Sequence, residues 1–588
     1  MRNREESTGE PSRLRRGTLL IPAVAVVAIG AATVGWMFST KGPSDAHCEG
    51  APRMVTVAVS EGENRLMSRL AAEWTASGPS LDGKCIGARA VAREPSVVVA
   101  ALGSTWDQST GEPPPDVWMP ESAMWLAVAS SQPKTAAMLP SDPESVASSP
   151  VVLAVRRQVA KAFGWPARTL GWDDVAKAVV SRQAPPGLGR RESADLRLGL
   201  PDPTQSTAGA AAILTFLDRD GDGNLSDAEL GGGVALTNVL GAVEPDSAAF
   251  LKQATSTAVT PPVAAFPVLE RDLAKYVSQH PSAPLVPVYG NRSTVVADYP
   301  YAVLKAPWVN SEKRTIAQRF LEHLRGAAAS EFGAEGYRAA DGAITYAPAL
   351  RADRGFRDRL APERPTPAPA AMSKMIAEWA AIERPSNVLV VLDTSGSMNK
   401  PVPGTKLTRL QLLQQTATYG FERLTNTTSI GLWQFSIELT PRTDYRELVP
   451  FGPIGRNVGQ TSRQDALRKA TQRLRAGGGT GLYDTAYAAF RRMQTLYQPN
   501  HTNAILFITD GRNEDDHAGL TKAKLLERLE REAQPERPTP IISIALGPEA
   551  DATALRQISE ATGGRTFVAR DPAGAVEKLI LAFAGRLR

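Results

Sequence analysis

The sequence predicts an α/β protein with two folded units behind a membrane-spanning segment. Three observations carry that expectation. A stretch of 21 residues from Thr18 to Phe38 holds no charge. Runs of aliphatic residues alternate with amphipathic helical patterns between 53 and 360 and again from 386 onward, as parallel sheets flanked by helices require. Between these regions, residues 361–370 carry proline at 362, 365, 367 and 369, which suits neither a helix interior nor a central strand and marks a spacer over 361–385.

Bulk properties narrow the function classes. At 588 residues, about three or four domains are expected at roughly 100–200 residues each. With 43% hydrophobic and 22% charged residues, the chain is a folded one and not collagen, coiled coil or bulk disorder. The 66 Lys and Arg nearly balance 61 Asp and Glu, and no run of like charge supplies a nucleic-acid footprint. Five histidines, none in an HExxH pattern, and two cysteines leave zinc hydrolase and CxxC redox chemistry without ligands.

The apolar stretch 18–38 is long enough to cross about 30 Å of hydrocarbon at 1.5 Å per residue. Arg2, Arg4, Arg13, Arg15 and Arg16 precede it, so the positive-inside rule places residues 1–17 in the cytoplasm and the bulk outside a plasma membrane crossed once. A cleaved secretory signal ending near Gly30, Ala31 and Ala32 is the alternative. Either way the rest is exported, where the even pair Cys48 and Cys85 is expected to form a disulfide, two buried thiols being the alternative.

In the first unit, 53–360, Met54–Ser60 reads as a buried strand. It leads into a helix with Leu66, Leu70 and Trp74 on one face, and Cys85–Arg93 is the next strand, parallel to the first. Pro115–Ser122 reads as a strand ending in a loop, and Ser149–Val155 as a strand crossing to a second lobe. Leu285–Tyr289, Asp298–Leu304, Ala306–Trp308, a helix around 313–324 and Gly336–Arg338 come after it. This order resembles the closing part of a bacterial extracellular solute-binding domain, over 53 to about 340. The resemblance implies a two-lobed, periplasmic-binding-protein-like fold whose hinge cleft takes a small solute, oxyanions and sugars among them. The residues themselves offer Ser60 and Ser122 at strand ends, and Thr204 and Ser206 at a helix start. There free N–H groups and the positive dipole end suit an anion, although capping alone also accounts for such hydroxyls.

Asp218, Asp220, Asp222, Asn224, Ser226 and Glu229 occupy positions 1, 3, 5, 7, 9 and 12 of a calcium-type loop over 218–229, with Gly223 at the sharp turn. Three glycines at 231–233 shorten the outgoing helix, so a structural Ca²⁺ staple is expected rather than a sensor, an unoccupied acidic turn being the alternative.

After the spacer, a short helix around 372–382 is expected to dock onto the second folded unit. Asn387–Leu392 is an apolar strand ending in Asp393, Ser395 and Ser397, with a helix over 406–424. Thr480 comes directly after glycines 477–479, and the strand Ala504–Thr509 ends in Asp510. These three segments resemble the metal-ion-dependent adhesion site of von Willebrand factor type A domains, over 386–588. Strands at 429–435 and 540–546 and helices at 520–534, 552–562 and 573–587 complete a doubly wound pattern. Hydroxyl and carboxylate oxygens at strand ends suit Mg²⁺. The resemblance implies direct ligation by Ser395, Ser397 and Thr480, support through water from Asp393 and Asp510, and an open position for an acidic residue of a protein partner. A type A fold without an ion is the alternative.

No nucleophile sits beside a partnered base, so an enzyme is not expected. The expected function is a cell-surface, metal-dependent protein-binding and adhesion protein with a solute-binding-like ectodomain. The alternative is the substrate-binding component of a transport system.

Overall fold

The structure, a computed structural model, describes residues 48–569 apart from short internal stretches within 105–112, 182–195, 219–239, 255–262, 345–346, 403–404, 422–426, 511–518 and 547–549. The expected span at 18–38 and the last expected helix at 573–587 lie outside the described residues. Among the described residues no helix is long and apolar enough to cross a membrane.

Strand β1 (Glu49–Val59) is buried from Val55 to Val59 because neighbours cover both its faces. Helix α1 (Glu61–Ala76) buries Leu66, Leu70 and Trp74, the stripe the sequence spaced at one helical face. Strand β2 (Lys84–Ala92) pairs with β1 in parallel, and the Cys48–Cys85 disulfide joins their entries. Strand β3 (Val117–Met119) pairs with the other edge of β1, and helix α2 (Ala123–Ser130) comes next.

The chain then crosses to a second sheet through β4 (Ser149–Arg156). That sheet adds β5 (Leu198–Pro201), helix α3 (Thr207–Phe216), β6 (Leu240–Glu244), β7 (Ala265–Leu269), helix α4 (Glu270–Gln279) and β8 (Leu285–Val288). Its order is Val296–Ala297, β4, β7, β5, β6, with β8 also on β4. Strand β5 runs parallel to β6 and β7, whereas β4 is antiparallel to β7 and β8. The chain returns through the short strand Ala302–Val303, antiparallel to β3, and helix α5 (Ser311–Arg325) packs on β1, β2 and α1. Within 298–304 only Ala302–Val303 is a strand, and Tyr299 ahead of it takes a φ of 45°, which no extended ladder accommodates.

The proline-rich stretch is docked rather than free. Thr294 donates to Pro362 O at 2.9 Å and accepts from Arg364 N at 2.8 Å. Helix α6 (Pro369–Glu383) starts with proline in its first turn. It packs on α2 and α3, burying Met372, Met375 and Trp379. The expectation that it docks onto the second folded unit is thus corrected. Its apolar stripe meets α2 and α3, two helices of the first unit built almost wholly of small and apolar residues.

The last unit opens on β9 (Ser386–Asp393), all of whose residues are buried, and helix α7 (Arg409–Phe421). It continues through β10 (Thr428–Thr440), β11 (Thr443–Pro453), α8 (Leu482–Leu496), β12 (Thr502–Thr509), α9 (Lys522–Glu532), β13 (Ile541–Leu546) and β14 (Thr566–Ala569). The sheet order is β11-β10-β9-β12-β13-β14. All neighbours are parallel except β10 and β11, which form an antiparallel hairpin. The order reverses at β9, so a crevice opens outside the carboxyl ends of β9 and its neighbours.

Candidate functional site

The carboxyl ends of β9 and β12 lie side by side and deliver the first group of polar residues. Asp393 is wholly buried. Its Oδ1 accepts from Ser395 N at 2.7 Å, and its Oδ2 accepts from the Thr509 hydroxyl. Burial pushes the Asp393 carboxyl up to about 6, against those hydrogen bonds, which favour its charged form. Ser395 Oγ and Ser397 Oγ lie 2.9 Å apart, and Ser397 Oγ donates to Asp510 Oδ1 at 2.7 Å. Arg409, the first residue of α7, donates to Asp510 Oδ2 at 2.6 Å.

Thr480 reaches the group through a backbone stitch. Gly396 N donates to Gly478 O at 2.8 Å and Gly477 N donates to Thr394 O at 2.9 Å. Glycine is required at 478, where φ is +76° and a Cβ would lie 2.4 Å from Ser436 Oγ. Thr480 is buried, and its N–H donates to Glu514 Oε2 at 3.1 Å. The structure therefore draws Asp393, Ser395, Ser397, Thr480 and Asp510 from three separate segments to one edge of the sheet. Their oxygens are hard donors, and they fit a hard divalent ion. Arg409 and Glu514 were not found by sequence reasoning. Arg409 meets Asp510 across 101 positions, a pairing that no local spacing reveals.

In the first domain, the carboxylates of Asp218, Asp220 and Asp222 lie within 4.8 Å of one another. Gly221 and Gly223 make the turn with φ of +80° and +79°. Asn224 N donates to Asp222 Oδ1 at 2.6 Å. Glu229 does not join the trio; its carboxylate accepts from Ser226 N at 2.9 Å and Ser226 Oγ at 2.7 Å. Asp218 is buried and pairs at 2.8 Å with Arg364 from the docked linker. Burial pushes its carboxyl up while Arg364 opposes the shift.

Between the two sheets of the first domain lies a cleft of about 540 Å³, at the carboxyl ends of strands from both lobes. Ser60 and Ser206 line it. Ser206 also caps α3, accepting from Gly209 N at 3.4 Å. Ser122 is not among the lining residues and caps α2, accepting from Met124 N at 3.3 Å. Thr204 is likewise outside the lining and donates to Asp202 Oδ1 at 2.7 Å. Capping thus accounts for Ser122, and the turn accounts for Thr204.

Sequence reasoning missed Arg271, which lines the cleft, and Glu63, which is buried behind it. Arg271, in the first turn of α4, has a side chain only 4% exposed and forms an ion pair with buried Glu63 of α1. It donates to Tyr299 Oη at 3.1 Å and lies 4.6 Å from the Tyr337 ring centre. Burial pushes Glu63 up to about 7, with Arg271 opposing the shift. Burial also pushes Glu121 well up, and Glu63 adds to that. Behind them Glu270 and Arg338 form a fully buried bidentate pair at 2.6 and 2.7 Å.

Comparison with known proteins matches this division. A family model described as bacterial extracellular solute-binding protein matches residues 55–338, and one described as von Willebrand factor type A domain matches residues 387–580. Among solved structures, a von Willebrand factor type A protein from Catenulispora acidiphila is 21% identical over 34% of this chain and 43% of its own, with a TM-score of 0.27. The chain therefore spans less than half the length of that protein. A periplasmic thiamin binding protein is 13% identical over 56% of this chain and 97% of its own, with a TM-score of 0.41. The periplasmic binding protein AfuA from Actinobacillus pleuropneumoniae, solved with fructose-6-phosphate, is 13% identical over 56% and 97%, with a TM-score of 0.39. No curated protein matches the sequence. The chain joins a bacterial extracellular solute-binding domain to a von Willebrand factor type A domain.

Proposed function

We propose that the chain is a cell-surface binding protein, anchored through residues 18–38 with its N-terminus in the cytoplasm. Its type A domain captures an acidic residue of a protein partner through Mg²⁺, and its first domain engages a small solute. Binding and adhesion, not catalysis, make up this reading. The observation that carries it is the hydrogen-bonded run of Ser395, Ser397 and Asp510, set at the edge where the strand order reverses. Ser395, Ser397 and Thr480 would hold the ion, with Asp393 and Asp510 in support. When bound, Mg²⁺ supplies the positive charge that attracts the partner's carboxylate. The trio Asp218, Asp220 and Asp222 supports a structural Ca²⁺ in the first domain.

The interlobe cleft favours a second reading, the substrate-binding component of a transport system, for which the type A site is unnecessary. A pull-down from envelope extract separates the two. The full chain is compared in Mg²⁺ and in chelator, and against Thr480→Ala. A protein retained only by the native chain in Mg²⁺ supports adhesion. Equal capture in all three conditions removes the metal-dependent reading and leaves the transport one.

A further inference from the structure

Helix starts at the interlobe cleft set up an expectation that its side chains contradict. Helices α1, α3 and α4 each begin at the lining, near Ser60, Ser206 and Arg271. Three helix N-termini alone favour an anion. Yet Glu61, Glu94, Glu121, Asp246 and Asp272 line the same space. Among the described residues, three cations at the lining, Lys252, Arg271 and Lys275, stand against these five carboxylates. Two of the three are already engaged, Arg271 by Glu63 and by Asp272 at 3.4 Å, which takes Asp272 out of the unbalanced set, and Lys275 by Glu335 at 2.6 Å. Lys252 is exposed to solvent.

The carboxylates come from both lobes. Glu94 follows β2 and Asp246 follows β6, and Asp246 repels Glu94 enough to help burial raise its carboxyl. Closing a hinge brings such like charges together unless a cation lies between them. One polar atom at the lining points to an occupant. The buried Tyr276 Oη has no hydrogen-bond partner among the described residues, and such a group is costly unless a ligand satisfies it. Tyr276 also stacks on His280 at 4.5 Å, giving the lining an aromatic surface of the kind that attracts organic cations.

We infer that the cleft binds a small organic cation, an amine or quaternary ammonium, between the carboxylates of the two lobes, with Tyr276 as a polar contact. The inference rests on reading the first domain as a solute binder and names the class of solute.

Thermal shift and calorimetry on the full chain test it, using spermidine, agmatine and glycine betaine as cationic probes, phosphate and molybdate as anions, and glucose as a neutral control at matched ionic strength. At least one cationic probe is expected to raise the melting temperature by several degrees. Glu121→Gln and the exposed Asp246→Asn are each expected to weaken that probe about tenfold or more. Asp246→Asn guards against a folding defect in the half-buried Glu121 variant. Binding of phosphate, molybdate or glucose, with no cationic probe bound, overturns the cation assignment and leaves solute binding standing. A null result with every probe overturns both. Cation binding unchanged in both variants removes the cleft carboxylates as its site.

Discussion

Arg409 and Ser397 divide the carboxylate of Asp510 between them, one oxygen each, at 2.6 and 2.7 Å. A buried guanidinium therefore already neutralises one of the two acids at the edge where a divalent ion would bind.

Arg409→Gln is expected to have opposite effects with and without metal. Without Mg²⁺, Asp510 loses a charged partner and the fold loses about 1–3 kcal/mol. With Mg²⁺, removing a nearby cation is expected to tighten ion binding by on the order of tenfold. Calorimetric titration and melting curves in Mg²⁺ and in chelator read both. An Mg²⁺ affinity that is unchanged or weaker in the variant removes the competition between Arg409 and the ion.

Replacing Cys48 and Cys85 together by serine is expected to cost the first domain about 4 kcal/mol in the chain-entropy account of a cross-link, given a sequence separation of 37 residues. Denaturant unfolding, followed separately for the two domains, checks this. A type A transition that falls along with the first would show that the bridge does not act locally.

Glu63 gives a pH signature with a definite sign. Its folded carboxyl is raised from 4.5 to about 7 by burial, so the folded state holds the proton more tightly than the unfolded chain. That contribution is fully present below about pH 4.5 and is lost as pH rises through about 7. Urea midpoints between these limits should fall with rising pH in the native chain and fall less in Glu63→Gln. Equal slopes in the two proteins would rule this group out as the source.

Ca²⁺ is expected to raise the melting temperature of the first domain by several degrees, and Asp220→Ala to abolish the effect. Asp220 is the informative position because Asp218 already pairs with Arg364. Superimposable melts in Ca²⁺ and chelator would make the loop an ordinary acidic turn.

The residues differ in how much of this they announce. Val57–Val59 and Val388–Leu392 are continuous apolar runs, and both lie in buried parallel strands, since a strand covered on both faces favours apolar residues. Strand β11 escapes such reading because Tyr445, Glu447 and Val449 mix apolar and charged side chains. It is an edge strand held to β10 by register and by the Trp433–Tyr445 stack at 4.3 Å. The stripe of Met372, Met375 and Trp379 shows that α6 has an apolar face, but not which neighbour receives it. Ser395 and Asp510 stand at strand ends and are legible there. Arg271 and Glu63 meet across 208 positions, so their pairing exists only once two lobes have folded against each other.

The disulfide also governs how the first domain carries mechanical load. Tension entering the chain ahead of Cys48 divides at once between β1 and β2 through a covalent bond. These are adjacent interior strands of a five-stranded sheet. Pulling therefore shears two paired strands together instead of peeling β1 away one hydrogen bond at a time. From the other side, load entering from the type A domain meets α6 first, packed on α2 and α3 through Met372, Met375 and Trp379, and then Arg364, where Thr294 and Asp218 grip the linker. The solute-binding domain is thus fastened near both ends of its own chain, by a covalent bond at one and by packing and an ion pair at the other.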